Sequence, residues 1–140
     1  MRTSTLLIAV LFSFVGPGMA QKVIVNQVPI QRTPWSNGQV MYQEYCAVCH
    51  GNHADGKGAA ATAFKVAPAD LTALARVHGG KFPYDHFYAV LRFGAAMPAH
   101  GSKDMPVWGP LFSSLDKDRE AVVDQRVHNL ASYVASVQSK

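Results

Sequence analysis

Residues 46–50 read Cys46-Ala47-Val48-Cys49-His50 and hold both cysteines of the 140-residue chain. On a helix, positions i and i+3 share a face, so the two sulfurs lie side by side and an imidazole follows at once. That order is the attachment signature of a c-type haem, with thioether bonds to two vinyl groups on one porphyrin edge and a ring nitrogen of His50 on the iron. The expected cofactor is one covalently attached haem c, held by Cys46, Cys49 and His50.

Two other chemistries use paired cysteines. A thioredoxin-like redox couple sits beside a βαβ pattern, and none surrounds Cys46. A structural zinc site needs four ligands, but there is no second cysteine pair, and His53, His78, His86, His100 and His128 lack zinc-ligand spacing. Coincidence would have to place every cysteine of the chain beside a histidine in this order.

Just upstream, Ser36 or Asn37 can cap a helix running from Gly38 to about Val48, with Met41, Tyr45 and Cys49 at i, i+4 and i+8. Gly38 in its first turn costs about 1 kcal/mol relative to Ala, which calls for a packing reason. Residues 21–36 alternate Val and Ile with polar residues and contain Pro29 and Pro34, so they are expected to form an extended N-terminal arm. Met1–Ala20 reads as a signal peptide: Arg2 opens it, an apolar run spans Leu6–Val15, and Gly18 and Ala20 are the small residues a signal peptidase reads. That run falls short of the roughly twenty residues a membrane span needs. Cleavage after Ala20, export to the periplasm and no stable membrane insertion are the expectations.

Downstream, glycines punctuate a polar loop from Gly51 to Gly58. Asp70 is placed to cap a short helix carrying Leu71, Leu74 and Val77, stopped by Gly79 and Gly80. A helix over Tyr84–Phe93 would bury Phe87, Val90 and Leu91, with Gly94 as its C-terminal cap. Pro98, Pro106 and Pro110 keep residues 95–111 from forming one regular helix. From about Lys117 to Gln138, with Asp116 as cap, Val123, Val127, Leu130, Val134 and Val137 recur at helical steps. The expected domain, residues 37–140, is all-α, with four to five short helices. Helices so short, separated by such loops, have little to pack on unless a large apolar cofactor fills the centre.

A hydrophobic fraction of 49% excludes a wholly disordered or collagen-like chain. The formal charge of +4 becomes +3 without residues 1–20, whose only charged side chain is Arg2, leaving twelve basic against nine acidic residues. Two ionised haem propionates would lower it to about +1. Lys22, Lys57, Lys65, Lys81, Lys103 and Lys117 are scattered singly, which excludes a nucleic-acid binder and suits docking through local patches.

An iron with one histidine takes a second axial ligand for electron transfer, or keeps an open site for catalysis or gas binding. Met41 lies on the attachment helix and is expected in the core. Met97-Pro98 and Met105-Pro106 each place a methionine before a proline, which keeps the segment extended as a strap over the distal face. His100 ranks behind both.

From about Gly38 to Val137 the chain resembles the class I c-type cytochromes. The resemblance rests on Gly38 and Tyr42, eight and four residues before Cys46, on Leu130 and Tyr133 in the last helix, and on Gly51, Gly56 and Gly58 after His50. It implies a close crossing of the first and last helices at Gly38. Met105-Pro106-Val107-Trp108-Gly109 looks like the family's distal-ligand segment, which favours Met105 over Met97. The resemblance also implies a proline carbonyl, here that of Pro68, accepting from the second nitrogen of His50. Trp108 is expected either to donate to a propionate or to pack on the ring, and Arg92 to be a solvated helix residue.

The function these readings imply is a periplasmic monohaem carrier of single electrons by Fe(II)/Fe(III) cycling, not an enzyme, in a pocket lined by Phe64, Leu71, Phe87, Leu91 and Trp108. Its partners are redox proteins, and it works as a monomer or a complex subunit. The alternative is a haem subunit bound permanently to a periplasmic dehydrogenase or oxidase, with the arm as an interface. An open-site enzyme or sensor ranks last, because no acid–base constellation accompanies the motif.

Overall fold

A computed structural model describes residues 29–94, 105–117 and 119–139. The expected signal segment, arm residues 21–28, Met97 and His100 lie outside the described residues.

Helix α1 (Gly38–Tyr45) starts where Asn37 Oδ1 accepts from the Val40 amide at 3.0 Å. Cys46 interrupts it (φ −115°, ψ −35°), and one further turn, α2 (Ala47–His50), carries the helix past Val48. The ladder survives the break, since Cys46 N–H donates to Tyr42 O at 2.9 Å and His50 N–H to Cys46 O at 2.8 Å.

Asp70 caps as expected, its Oδ1 accepting from the Thr72 amide at 2.9 Å. A 3-10 turn, Leu71–Ala73, leads into α3 (Leu74–Val77), which Gly80 closes by donating to Ala75 O. Helix α4 (Tyr84–Phe93) has the expected bounds, with Gly94 in the left-handed region at φ +82°.

The prolines concealed α5 (Trp108–Leu115). Pro110 is its third residue, within the first turn, where a missing N–H breaks no helical hydrogen bond. The last helix, α6 (Glu120–Ser136), starts later than expected. Asp116 does not cap it: the chain turns at Lys117 (φ +53°), and the Asp116 side chain is buried against Arg126. Six α-helices, two of them single turns, and no strand make the described residues all-α. None of these helices is long and apolar enough to cross a membrane.

The core forms where α1 crosses α6. A β-carbon on Gly38 would run into the backbone of Asn129 and would lie 2.9 Å from Tyr133 Cβ, so only glycine permits this approach. Tyr42 and Tyr133 pack with ring centroids 5.3 Å apart, and Leu130 is fully buried beside them. Helices α4 and α5 close the other side of α6.

The described part of the arm lies against this core without regular secondary structure. Tyr45 Oη donates to Gln31 O at 2.6 Å and accepts from the Thr33 amide at 3.2 Å. Thr33 is buried, and Ile30 packs on the hydrophobic cluster.

Candidate functional site

A cavity of about 300 Å³, of the size and apolar character of a cofactor site, opens between α1–α2, the 64–74 segment, α4 and the start of α5. Cys46, Cys49, His50 and Met105 all line it. So do the five residues expected there: Phe64, Leu71, Phe87, Leu91 and Trp108. The break at Cys46 and the turn of α2 present both sulfurs and the imidazole to the same space. The two cysteines are not joined to each other by a disulfide.

Burial pushes the Cys46 thiol up to about 12, and the neighbouring Cys49 adds to the rise. Reactive redox cysteines are tuned the other way, toward the thiolate, so the raised Cys46 thiol argues against half of a dithiol couple. Among the described residues no three His, Cys, Asp or Glu side chains gather as a metal-only site. Two thiols, an imidazole and a thioether around an apolar cavity do fit the donor set of haem c.

His50 Nδ1 lies 2.9 Å from Ala69 O. A carbonyl only accepts, so Nδ1 carries the proton and Nε2 keeps its lone pair. Burial lowers the His50 pKa, and the Ala69 hydrogen bond partly opposes it. Burial favours the neutral imidazole and the Ala69 hydrogen bond orients it, the arrangement that ligates metal.

The expected acceptor for this bond, Pro68, is displaced by one residue. Pro68 O instead faces Gly56, where a β-carbon would lie 2.6 Å from it, so the chain must turn before a carbonyl can meet His50. A backbone acceptor has no side-chain signature, which is why sequence pattern missed Ala69. Tyr42 Oη secures the loop behind His50 by donating to Gly51 O at 2.6 Å.

Trp108 packs between Tyr45 and Phe112, with ring centroids 5.4 and 5.5 Å away, so its described contacts are those of a packing residue. Arg92 is not solvated. Its side chain is 15% exposed and pairs with Glu120 and, at 3.3 Å, with Asp124 on α6. Pro106, Leu74 and Val90, from the Met105-Pro106 segment and two of the expected helices, also line the cavity, as do His86 and Val66, which carried no motif that would have marked them.

Residues 33–124 match the family described as cytochrome c oxidase, cbb3-type, subunit III. No curated protein and no solved structure matches the chain. The matched span contains Cys46, Cys49, His50 and Met105 and covers well over half of the sequence. The chain therefore belongs to this family of c-type cytochrome domains, a class I monohaem cytochrome with covalently bound haem c and a role in electron transfer.

Proposed function

We propose that the protein is an exported, periplasmic electron carrier in which Cys46 and Cys49 form the two thioethers, His50 is the proximal ligand and Met105 the distal one. The observation that carries this reading is that all four side chains line one apolar cavity, with the His50 ring already oriented by Ala69. Haem c, when bound, supplies a one-electron Fe(III)/Fe(II) couple, and a methionine ligand raises its potential relative to two histidines. The protein's part is to hold two ligands in place through both oxidation states and to keep water out. Apolar walls disfavour the extra charge of the oxidised state.

Optical spectra of the purified protein test the assignment. Met105→Ala should abolish the weak long-wavelength band of methionine bound to ferric iron while Met97→Ala keeps it. The reverse result moves the ligand to Met97. Ready binding of carbon monoxide by the reduced wild type would favour an open site instead.

A second reading is favoured by the family's description as an oxidase subunit: the protein is a resident haem subunit of a larger complex. Gel filtration of a native extract separates the two. Elution at the size of the monomer supports a free carrier, and co-elution with a large oxidoreductase supports the subunit.

A further inference from the structure

Beyond the cavity itself, the last described residues of the chain reach back to the segment that holds His50. Gln138 follows the end of α6 and is half-buried. Its Oε1 accepts from the Ala75 amide at 2.7 Å. Its Nε2 donates to Leu71 O at 2.7 Å and to Val134 O at 2.9 Å. Ser139 adds two bonds to Thr72 O, from its amide at 2.9 Å and its hydroxyl at 3.0 Å.

Residues 71–77 are a 3-10 turn followed by a single α-turn, too short to hold their own shape in water. The Ala75 amide is one of the first N–H groups of α3 and has no intrahelical acceptor. A carboxamide carries donor and acceptor in one plane, so Gln138 acts as a borrowed peptide unit. It ties the turn to the 17-residue post of α6. On the opposite side Ala54 O accepts from the Leu71 and Thr72 amides at 2.8 and 3.3 Å. Ala69, two residues before Leu71, is held between these anchors, and its carbonyl is the acceptor for His50 Nδ1.

We propose that Gln138 is a positioning residue for the proximal imidazole, fixing through Leu71 and Ala75 the Ala69 carbonyl that orients His50. The proposal rests on His50 being the iron ligand. A purely local role, capping α6 through Val134, would leave His50 untouched.

The test is nitrogen-15 NMR of the reduced holoprotein, comparing wild type, Gln138→Met, which keeps the side-chain length without its polar atoms, and Gln138→Glu, which keeps only the acceptor. In Gln138→Met, solvent exchange of the Ala75 amide and of the His50 ring Nδ1–H should both rise at least tenfold, and the ring N–H resonance should move toward a weaker hydrogen bond. Gln138→Glu should keep Ala75 protected and give a smaller rise at His50. Faster exchange at Ala75 with no change at His50 in either variant would overturn the proposal. Should Gln138→Met fail to fold, Gln138→Glu alone decides it, by whether His50 exchange rises. A wild-type His50 ring without the resonances of an iron-bound imidazole would refute the ligand assignment, while the Ala75 readout would still report on the clamp.

Discussion

Arg126 and Asp116 form a fully desolvated ion pair: Nε donates to Oδ2 at 2.5 Å and Nη2 to Oδ1 at 3.3 Å, with both side chains 1% exposed. Arg126 Nη1 also donates to Thr33 Oγ1 at 3.2 Å, and Thr33 Oγ1 is 2.9 Å from Tyr45 Oη. One polar chain thus joins α6, the arm and the residue preceding Cys46.

The two partners are not equally dependent on each other. Without Asp116, Arg126 keeps no anionic partner among the described residues and is left with the Thr33 hydroxyl, the Met41 sulfur and the face of the Phe112 ring. Without Arg126, Asp116 still has Arg32 at 3.7 Å and Arg119 at 3.8 Å, both on the solvent side. Leaving one charge buried and unpaired costs about 3–5 kcal/mol. Asp116→Ala should show that loss in guanidinium denaturation of the holoprotein, and Arg126→Met a distinctly smaller one. Equal losses would mean that Arg32 and Arg119 do not compensate.

Gly38→Ala tests the helix crossing. The new methyl would meet the Asn129 carbonyl and, at 2.9 Å, Tyr133 Cβ. Neither backbone nor Cβ can rotate away, so α1 and α6 must part, at a cost of about 3 kcal/mol, typical of severe overpacking. That outweighs the roughly 1 kcal/mol gained in helix propensity. Thermal unfolding should report the net loss. Adding Asn129→Ala should restore nothing, because the obstacle is backbone; a rescued melting temperature would show the contact to be a side-chain one.

Gly56→Ala and Gly79→Ala separate backbone strain from site geometry. Both glycines have positive φ, +79° and +70°, which costs a non-glycine residue about 1–2 kcal/mol. Nothing lies within 4 Å of a β-carbon at Gly79, whereas at Gly56 it would press on Pro68 O at 2.6 Å and Ala69 C at 3.3 Å. Both variants should lose stability, but only Gly56→Ala should alter the His50 ring Nδ1–H signal. A disturbed His50 in Gly79→Ala would argue for global loosening.

What the sequence revealed and what it concealed follow from the range of each interaction. Helix α4 was legible to its last residue because Phe87, Leu91 and Gly94 obey local periodicity and capping. Cys46, Cys49 and His50, which line one cavity, stand out in the sequence because the motif fills five consecutive positions. Helix α5 was hidden because Pro106 and Pro110 signal a break, although a proline in the first turn is harmless. Asp116 was misread as a cap because a nearby helix start is the local use of an aspartate. Its true partner, Arg126, lies across a turn that nothing in the residue pattern marks. Ala69 offers only its carbonyl, and the Gln138 carboxamide bonds to backbone groups of Leu71, Ala75 and Val134; hydrophobic periodicity carries no record of such partners.

Alkaline pH probes the tyrosines that hold these elements. Tyr42 is fully buried and its hydroxyl proton is engaged by Gly51 O, so burial raises its pKa, with Cys46, Tyr133 and Asp55 adding to the rise. With the Cys46 sulfur in the proposed thioether its contribution would vanish, but burial, the larger cause, remains. Tyr88 is raised chiefly by its hydrogen bond to Asp124. Unfolded tyrosines ionise near pH 10. Above that pH the folded chain therefore holds protons the unfolded chain has released, and stability falls as pH rises through the folded values, with no effect from these groups below pH 10. For Tyr42 the limiting slope is about 1.4 kcal/mol per pH unit. Tyr42→Phe should be less stable at pH 8, by about 1–3 kcal/mol for the stranded Gly51 carbonyl, yet lose less between pH 10 and 11.5 than the wild type. Urea unfolding of both proteins across that range checks it, and parallel curves would show that Tyr42 ionises alike in both states.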